Sequence, residues 1–263
     1  MSREITRAEL LAELSASRVL RPSARATADA LNAFHAESSA ETILAEALAI
    51  HEPGSVAMVS SFGADSAVLL HMLSRVEPAT PVLMLETGML FPETLAYQQE
   101  LAAALGLADV RLVRPDAAEL AREDADGRLN ERLPNTCCDL RKTRPLDRAL
   151  RPFDAWITGR KRFQAATRSS LMPFEAEEGT TRMKVNPLAG WDGAMLKSYT
   201  DRHALPRHPL VAKGYPSIGC APCTTPVAEG EDPRAGRWRG QDKVECGIHF
   251  DGKNWVRTAA GLP

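Results

Sequence analysis

Five cysteines are the residues of this chain whose type and spacing point most directly to chemistry. Cys137 and Cys138 are adjacent, Cys220 and Cys223 form a C-x-x-C pair, and Cys246 stands alone near the C-terminus. Thiolates bind zinc and iron–sulfur clusters, and an unligated thiolate is a strong nucleophile. The two pairs therefore predict a metal centre, and the isolated cysteine predicts a separate reactive thiol.

The adjacent pair bears on which metal the four cysteines would hold. Zinc sites usually draw on C-x₂₋₄-C pairs, because that spacing lets two sulfurs converge on one ion. Cys137 and Cys138 converge poorly on one ion but can bind two different irons of a [4Fe–4S] cluster. We therefore favour an iron–sulfur cluster over zinc. The alternative without a metal is a pair of buried helix cysteines and an unrelated C-x-x-C.

The isolated thiol lies in the segment 243–249, which reads K-V-E-C-G-I-H. A nearby Lys243 ammonium or a protonated His249 would favour the thiolate form of Cys246. Gly247 lets the backbone turn and present the sulfur. The alternative is a free cysteine on the surface.

The elements that would position these residues follow from the hydrophobic pattern. Short apolar runs alternate with helix-like segments, which predicts an α/β fold with a parallel sheet covered on both faces. The predicted strands are Ser55–Ser60, Pro81–Leu85, Asp109–Val113 and Ala155–Thr158, with Arg182–Val185 as an edge strand. The predicted helices are Ser66–Val76, Glu93–Leu105, Ala117–Arg122, Cys137–Leu150 with a break or kink at Pro145, and Asp192–Arg202.

The two ends of the chain differ from this body. The apolar spacing in residues 1–54 predicts a helical region packed on the body. It predicts one helix over Glu9–Leu20 and a second helix that begins at a capping box over Ser38–Glu41. From residue 206 to residue 263, Pro, Gly and charged residues dominate and the periodicity disappears. We therefore predict three parts: residues 1–54, an α/β nucleotide-binding body over residues 55–205, and an irregular tail over residues 206–263 that docks on the body.

Charge and hydropathy exclude several classes of function. Lys and Arg number 32 and Asp and Glu number 34, so the net charge of −2 argues against a nucleic-acid surface. Local basic clusters suit a small anionic ligand better. The sequence shows neither a secretory signal nor an apolar run of about 18 residues, so we expect no membrane partner and a cytoplasmic protein. Cysteines in that reducing compartment indicate metal binding or catalysis.

The loop after the first predicted strand is a candidate anion site. At the carboxyl end of a parallel strand, backbone N–H groups and a helix N-terminus point toward a ligand. The loop resembles the S-G-G-x-D-S loop of PP-loop nucleotide enzymes, with Phe62 in place of the first glycine. The alternative is a plain strand-to-helix turn. The candidate binding residues are Ser60, Ser61, Phe62, Gly63, Asp65 and Ser66.

The second strand is followed by a more specific motif. Residues 85–94 resemble the L-D-T-G-x-x-F-P-E-T loop of sulfonucleotide reductases, with Glu86 where the family has Asp. Residues 137–142 match its C-C-x-x-R-K motif, residues 220–223 match its C-x-x-C, and residues 245–249 match its E-C-G-[IL]-H. The resemblance covers about residues 60–250 and implies a Rossmann-like PP-loop fold of the adenine nucleotide alpha hydrolase-like type.

The resemblance also implies roles. The four paired cysteines would hold a [4Fe–4S] cluster, which in this family accompanies adenylyl sulfate (APS) as the substrate. Lys142 would lie between cluster and substrate, and Glu86, Thr87 and Gly88 would shape the nucleotide pocket. Cys246, with His249 in its motif, would attack the sulfur of APS and form an S-sulfocysteine, from which thioredoxin releases sulfite.

Two basic segments fit an anionic substrate. Residues 158–168 resemble the family's G-R-[RK]-x-x-Q-x-x-x-R segment, and residues 234–238 resemble a motif of its tail. The alternative for both is a set of solvated surface cations. The residues carried over are Arg160, Lys161, Gln164, Arg168, Arg234 and Arg237.

Several alternatives stay open at this point. The chain could act on the 3′-phosphorylated nucleotide (PAPS), or be an iron–sulfur redox sensor, or be a PP-loop enzyme that thiolates tRNA. The altered S-G-G-x-D-S loop and the net charge argue against the last. The sequence leaves the oligomeric state open, including a homo-oligomer.

Overall fold

The computed structural model describes residues 23–165, 168–241 and 243. Its sheet has six strands in the order β3-β2-β1-β4-β6-β5. The strands are β1 (Val56–Val59), β2 (Val82–Leu85), β3 (Val110–Val113), β4 (Ala155–Thr158), β5 (Phe174–Ala176) and β6 (Met183–Val185). Neighbouring strands from β3 to β6 are parallel, and β5 is antiparallel to β6.

Helices connect and cover these strands. Within the described ranges the α-helices are α1 (Ala24–Phe34), α2 (Ala40–Ala49), α3 (Ser66–Val76), α4 (Pro92–Leu105), α5 (Ala117–Glu123), α6 (Leu129–Arg132), α7 (Pro134–Cys138), α8 (Arg144–Leu150) and α9 (Gly193–Arg202). The predicted helix Glu9–Leu20 lies outside the described residues. None of the described helices is long and apolar enough to cross a bilayer.

The sheet is buried on both faces. Val56 and Met58 of β1 belong to the larger hydrophobic core, which includes residues of α1 to α4. Ala57, which points to the opposite face, packs in a second cluster with Trp156 and with Leu150 of α8. The predicted α/β class with a parallel sheet covered on both sides is therefore confirmed.

The segment predicted as one helix over Cys137–Leu150 is interrupted. A π-helical turn over Asp139–Thr143 separates α7 from α8. Pro145 has no N–H, and its ring would clash with the carbonyl of Arg141 in a regular α-helix. The wider π turn relieves that conflict, and such turns occur frequently at functional sites. Arg141 and Lys142 lie on it.

Two local predictions were wrong. The strand near Arg182–Val185 is not at the edge, because β6 lies between β4 and β5; the three-residue edge strand β5 is too short to give a periodic signal. The capping box was also misplaced. The N-cap of α2 is Ser39, whose Oγ accepts a hydrogen bond from the N–H of Thr42, so Glu41 is not the reciprocal partner.

The tail docks across the carboxyl edge of the sheet through polar contacts. The backbone N–H of Ala221 donates to the carbonyl of Met89 at 2.7 Å, and Tyr97 of α4 donates to the carbonyl of Pro206 at 2.8 Å. His208 is fully buried. Its Nδ1 accepts from the N–H of Leu210, so the proton sits on Nε2 and is donated to Thr94 Oγ1 at 3.0 Å.

We expect this histidine to make tail docking sensitive to pH. Burial lowers the pKa of His208 from 6.5 to about 4, while Glu93 acts in the opposite direction. As the pH falls from about 6.5 to about 4, the unfolded chain binds the proton first, so the folded state loses stability. We expect the difference in melting temperature between the wild type and His208→Asn to shrink across that window. Exposed His203→Asn is the control, and parallel curves for wild type and His208→Asn would contradict this account.

Candidate functional site

A pocket of about 300 Å³ lies at the carboxyl ends of β1, β2 and β4. The tail covers it on the far side and contributes Ile218, Cys220, Arg234, Arg237 and Trp238 to its lining. Ligands of open parallel α/β sheets bind in this place, where helix N-termini and loop N–H groups converge. The predicted tail thus forms one wall of the predicted nucleotide site.

The loop after β1 contains a strained residue. Phe62 has a φ of +47°, a left-handed conformation that a side chain with a Cβ adopts only at a cost of about 1–2 kcal/mol. Its ring is fully buried, and its N–H donates to Ser60 Oγ at 3.2 Å. Burial of the ring therefore offsets the strain. Phe62 thus adopts at this position the left-handed conformation that favours glycine.

The second half of that loop faces the ligand space. The N–H of Gly63 donates to Ser66 Oγ at 2.9 Å. A Cβ on Gly63 would lie 3.5 Å from the carbonyl of Ile218, so the tail packs closely on the loop here. Asp65 precedes α3 but does not cap it with its side chain. Instead its carboxylate pairs with Lys161, which leaves the N-terminus of α3 open to an anion.

The loop after β2 is held from behind by a buried ion pair. Arg141 pairs with Asp124 at 2.5 Å, with both side chains less than one-tenth exposed, and donates to the carbonyl of Thr87 at 2.8 Å. Thr87 Oγ1 in turn lies 3.3 Å from the sulfur of Cys220. Glu86 turns away from the pocket: its two oxygens accept from the N–H of Gly88 and from Arg114.

The strand-end basic segment forms a cationic wall. Lys161 is buried and pairs with Asp65 Oδ2 at 3.2 Å; burial lowers its pKa, and the charge of Asp65 acts against that shift. Arg160 pairs with Glu175 and donates to Asn186 Oδ1. Gln164 accepts from Arg168 at 2.6 Å. These partners fix the directions of the cations before any ligand arrives.

The tail supplies a second group of cations. Arg237 lies over the ring of Trp238, with its guanidinium carbon 4.5 Å from the ring centroid, and donates to the carbonyl of Ile218. Its buried Nε–H finds no acceptor among the described residues. A Cβ on Gly219 would collide with this guanidinium, so the Arg237 side chain would have to move if residue 219 carried one. Arg237 also lines the pocket.

The four paired cysteines lie near one another. Burial raises the pKa of the Cys137 thiol to about 12, and the neighbouring sulfurs of Cys138, Cys220 and Cys223 add to the shift. Cys220 belongs to a bridge with Leu90, after β2, and the N–H of Trp238 donates to the carbonyl of Cys223. The structure thus brings the C-x-x-C of the tail beside the end of α7. Among the described residues, no three His, Cys, Asp or Glu side chains are arranged to share one metal ion.

Two lysines lie close to these sulfurs. Lys142 lines the pocket, and its charge counteracts the raised pKa of the Cys223 thiol, which is caused chiefly by burial. Lys243 donates to the sulfur of Cys138 at 3.3 Å. Lys142 therefore lines the pocket and also lies near the Cys223 thiol.

Comparison with known proteins identifies the family to which this chain is similar. A profile of the "Phosphoadenosine phosphosulfate reductase domain" matches residues 55–226, which is well over half of the chain. The chain belongs to this reductase family. The matched region contains the nucleotide loop, the cationic wall and the four paired cysteines, and it ends before Cys246.

Individual family members are similar over most of their length. The adenosine 5′-phosphosulfate reductase of Mesorhizobium japonicum is 51% identical over 207 residues, which cover 79% of this chain and 81% of that protein. The phosphoadenosine 5′-phosphosulfate reductase of Gloeobacter violaceus is 43% identical, with 80% and 88% covered. The crystal structure of the phosphoadenylyl-sulfate reductase of Candida auris in a phosphate complex superposes with a TM-score of 0.65 at 26% identity, covering 86% of this chain and all of that one.

For this reductase-family chain, most of the predicted site residues converge on the pocket. Cys246 and His249 lie outside the described residues, and Phe62, Glu86 and Gly88 do not line the pocket. The predicted residues that line it are Ser60, Ser61, Gly63, Asp65, Ser66, Thr87, Lys142, Arg160, Lys161, Gln164, Arg168, Arg234, Arg237 and Cys220.

Sequence reasoning missed the residues that hold these groups in place. Asp124, Glu175 and Asn186 each come from elements far from their partners in sequence, so no local motif marks them. Trp238 carried a weak signal, since it follows Arg237 directly in the tail motif. Buried acids such as Asp124 can be found only once the fold gives them their partner.

Proposed function

We propose that this chain reduces adenylyl sulfate to sulfite and AMP in assimilatory sulfate reduction, with thioredoxin as the electron donor and an S-sulfocysteine on Cys246 as the intermediate. The observation that carries the proposal is the pocket itself. A nucleotide loop, a wall of cations and a lining cysteine, Cys220, meet there beside Lys142. The names of similar family members support APS as the substrate.

The cations provide what the first step requires. A phosphosulfate group would repel an approaching thiolate, so the site must place positive charge around it before the reaction. Arg160, Lys161 and Arg168 lie on the side of the body, and Arg234 and Arg237 on the side of the tail. An anion bound between them is neutralised from two directions.

The proposed steps balance as follows. The thiolate of Cys246 attacks the sulfur of APS, a sulfur–sulfur bond forms, and the bond from that sulfur to the phosphate oxygen breaks. AMP leaves with the electron pair and needs no proton. A thioredoxin thiolate then attacks Sγ of Cys246, sulfite leaves with the electron pair, and the second thioredoxin thiol resolves the mixed disulfide. The dithiol supplies both electrons.

Cys137, Cys138, Cys220 and Cys223 are the residues that would hold a [4Fe–4S] cluster. The donor set fits, because it consists of thiols alone and joins α7 to the tail. In a cube each thiolate binds its own iron, so the four sulfurs need not converge on one point as they would for zinc. What the cluster supplies when bound is a fixed link between body and tail, with its charge beside Lys142.

PAPS is the second candidate substrate, because a family member 43% identical carries that name. The test is a comparison of kcat/KM for APS and PAPS with thioredoxin present, with each nucleotide also used as a competitor of the other. We expect APS to be strongly preferred. Equal or higher kcat/KM for PAPS would overturn this substrate assignment.

Arg237 allows a matched test of the cations that the tail contributes to the pocket. We expect Arg237→Met to lower kcat/KM by about a hundredfold, as loss of one charged donor to the reacting group does. Arg239→Met is the control, because Arg239 is exposed, pairs with Glu231 and lies outside the pocket lining. Equal activities of the two variants would show that Arg237 does not contact the substrate.

A further inference from the structure

Lys243 is the last described residue before Cys246, and its ammonium is fully engaged by the body. It donates to Asn135 Oδ1 at 2.7 Å, to the carbonyl of Pro134 at 3.2 Å and to the sulfur of Cys138 at 3.3 Å. An ammonium has three N–H donors. Among the described residues, the three hydrogen-bond partners of this ammonium all belong to α7.

Trp238 connects this contact to the pocket. The Lys243 ammonium lies 5.6 Å from the centroid of the Trp238 ring, and the Arg237 guanidinium carbon lies 4.5 Å from the same centroid. The ring is buried, and it lines the pocket. The segment from Arg237 to Lys243 is thus held at one end beside the ligand space and at the other end beside Cys138.

These contacts give Lys243 a role different from the one its position in the sequence indicates. Three residues upstream of Cys246, it looks like a cation that would activate that thiol. In the structure its donors are used by α7. The ammonium contacts the sulfur of Cys138, and the side chain acts as a link.

We propose that Lys243 is a positioning residue that fastens the segment before Cys246 to the cysteine centre. The proposal rests on the proposed function, in which Cys246 is the nucleophile. Three residues span at most about 11 Å, so fixing Lys243 restricts where the thiol can go. Release of the link would remove that restriction.

The test measures the reactivity of Cys246 without substrate. Lys243→Met keeps the length of the side chain but removes the donors, and Lys197→Met, at an exposed pair with Asp201 on α9, is the control. Alkylation by iodoacetamide is followed at the Cys246 peptide by mass spectrometry, together with iron content and visible absorption. We expect Lys243→Met to keep its iron and to be alkylated about tenfold faster than wild type, the factor expected for a lost charged hydrogen bond.

Unchanged alkylation in Lys243→Met with iron retained would overturn the proposal. If Lys243→Met loses its iron, Asn135→Ala decides, because it removes one acceptor of the link and leaves both lysine and cysteines in place. Faster alkylation of Asn135→Ala with iron retained supports the link, and an unchanged rate overturns it. Alkylation requires no APS, so a wild-type protein that makes no sulfite would refute the proposed function while this test still stands.

Discussion

We expect replacement of Cys246 by Ser to abolish sulfite formation while iron content and nucleotide binding stay at wild-type levels. A serine hydroxyl is not ionised at neutral pH and cannot form the sulfur–sulfur bond on which the proposed first step depends. We expect turnover with APS and thioredoxin to fall on the order of a thousandfold or more. Sulfite release, iron per chain and AMP affinity are the three measurements.

The contrast with the other cysteines sharpens this result. Cys138→Ser is the matched substitution, because Cys138 is buried beside Cys137 and accepts from Lys243. We expect it to lower the iron content, which Cys246→Ser does not. Wild-type turnover in Cys246→Ser would mean that another group is the nucleophile. Loss of iron in Cys246→Ser would place this thiol in the metal centre instead.

Gly236→Ala is expected to have the second large effect, through the shape of the tail. A Cβ at this position would collide with the backbone carbonyl of Thr225, whose own N–H donates to the carbonyl of Gly236 at 2.8 Å. The same pairing continues in the bridge between Thr224 and Arg237. A backbone atom cannot move aside as a flexible side chain can, so the hairpin that carries both Cys223 and Arg237 must open.

We expect Gly236→Ala to lose most of its iron and at least about a hundredfold of its activity, since it would disturb a proposed metal ligand, Cys223, and a proposed substrate cation, Arg237, together. Gly193→Ala is the control, because an added Cβ there meets nothing within 4 Å and the residue starts α9. Iron content and kcat/KM with APS are compared for both. Equal values in the two variants would show that the tail hairpin has no role in the site.

Much of the fold followed from the sequence, because hydrophobic periodicity and turn residues act locally. The helix Ser66–Val76 and the strand Ala155–Thr158 have the predicted bounds. The sequence pattern could not reveal β5, which is three residues long and is defined by its pairing with β6. The π turn before Pro145 was anticipated only as a break or kink, because its geometry depends on how α7 and α8 pack.

For the site, residue type and spacing identified the groups that could do chemistry, and the fold was needed to show what holds them. The cysteine pairs and the cation segments were visible as motifs, and most of them line or adjoin one pocket. The strain at Phe62 and the buried pair of Arg141 with Asp124 depend on contacts between distant segments. The same holds for the contact of Lys243 with the sulfur of Cys138.

Mass spectrometry of the protein after incubation with APS in the absence of any reductant tests the central claim most directly. Without thioredoxin the proposed reaction stops after its first step, so the protein should carry one sulfonate group, located on the Cys246 peptide, and release AMP in equal amount. Addition of reduced thioredoxin should remove the group as sulfite. AMP release with an unmodified Cys246, or a sulfonate on any other residue, would contradict the account.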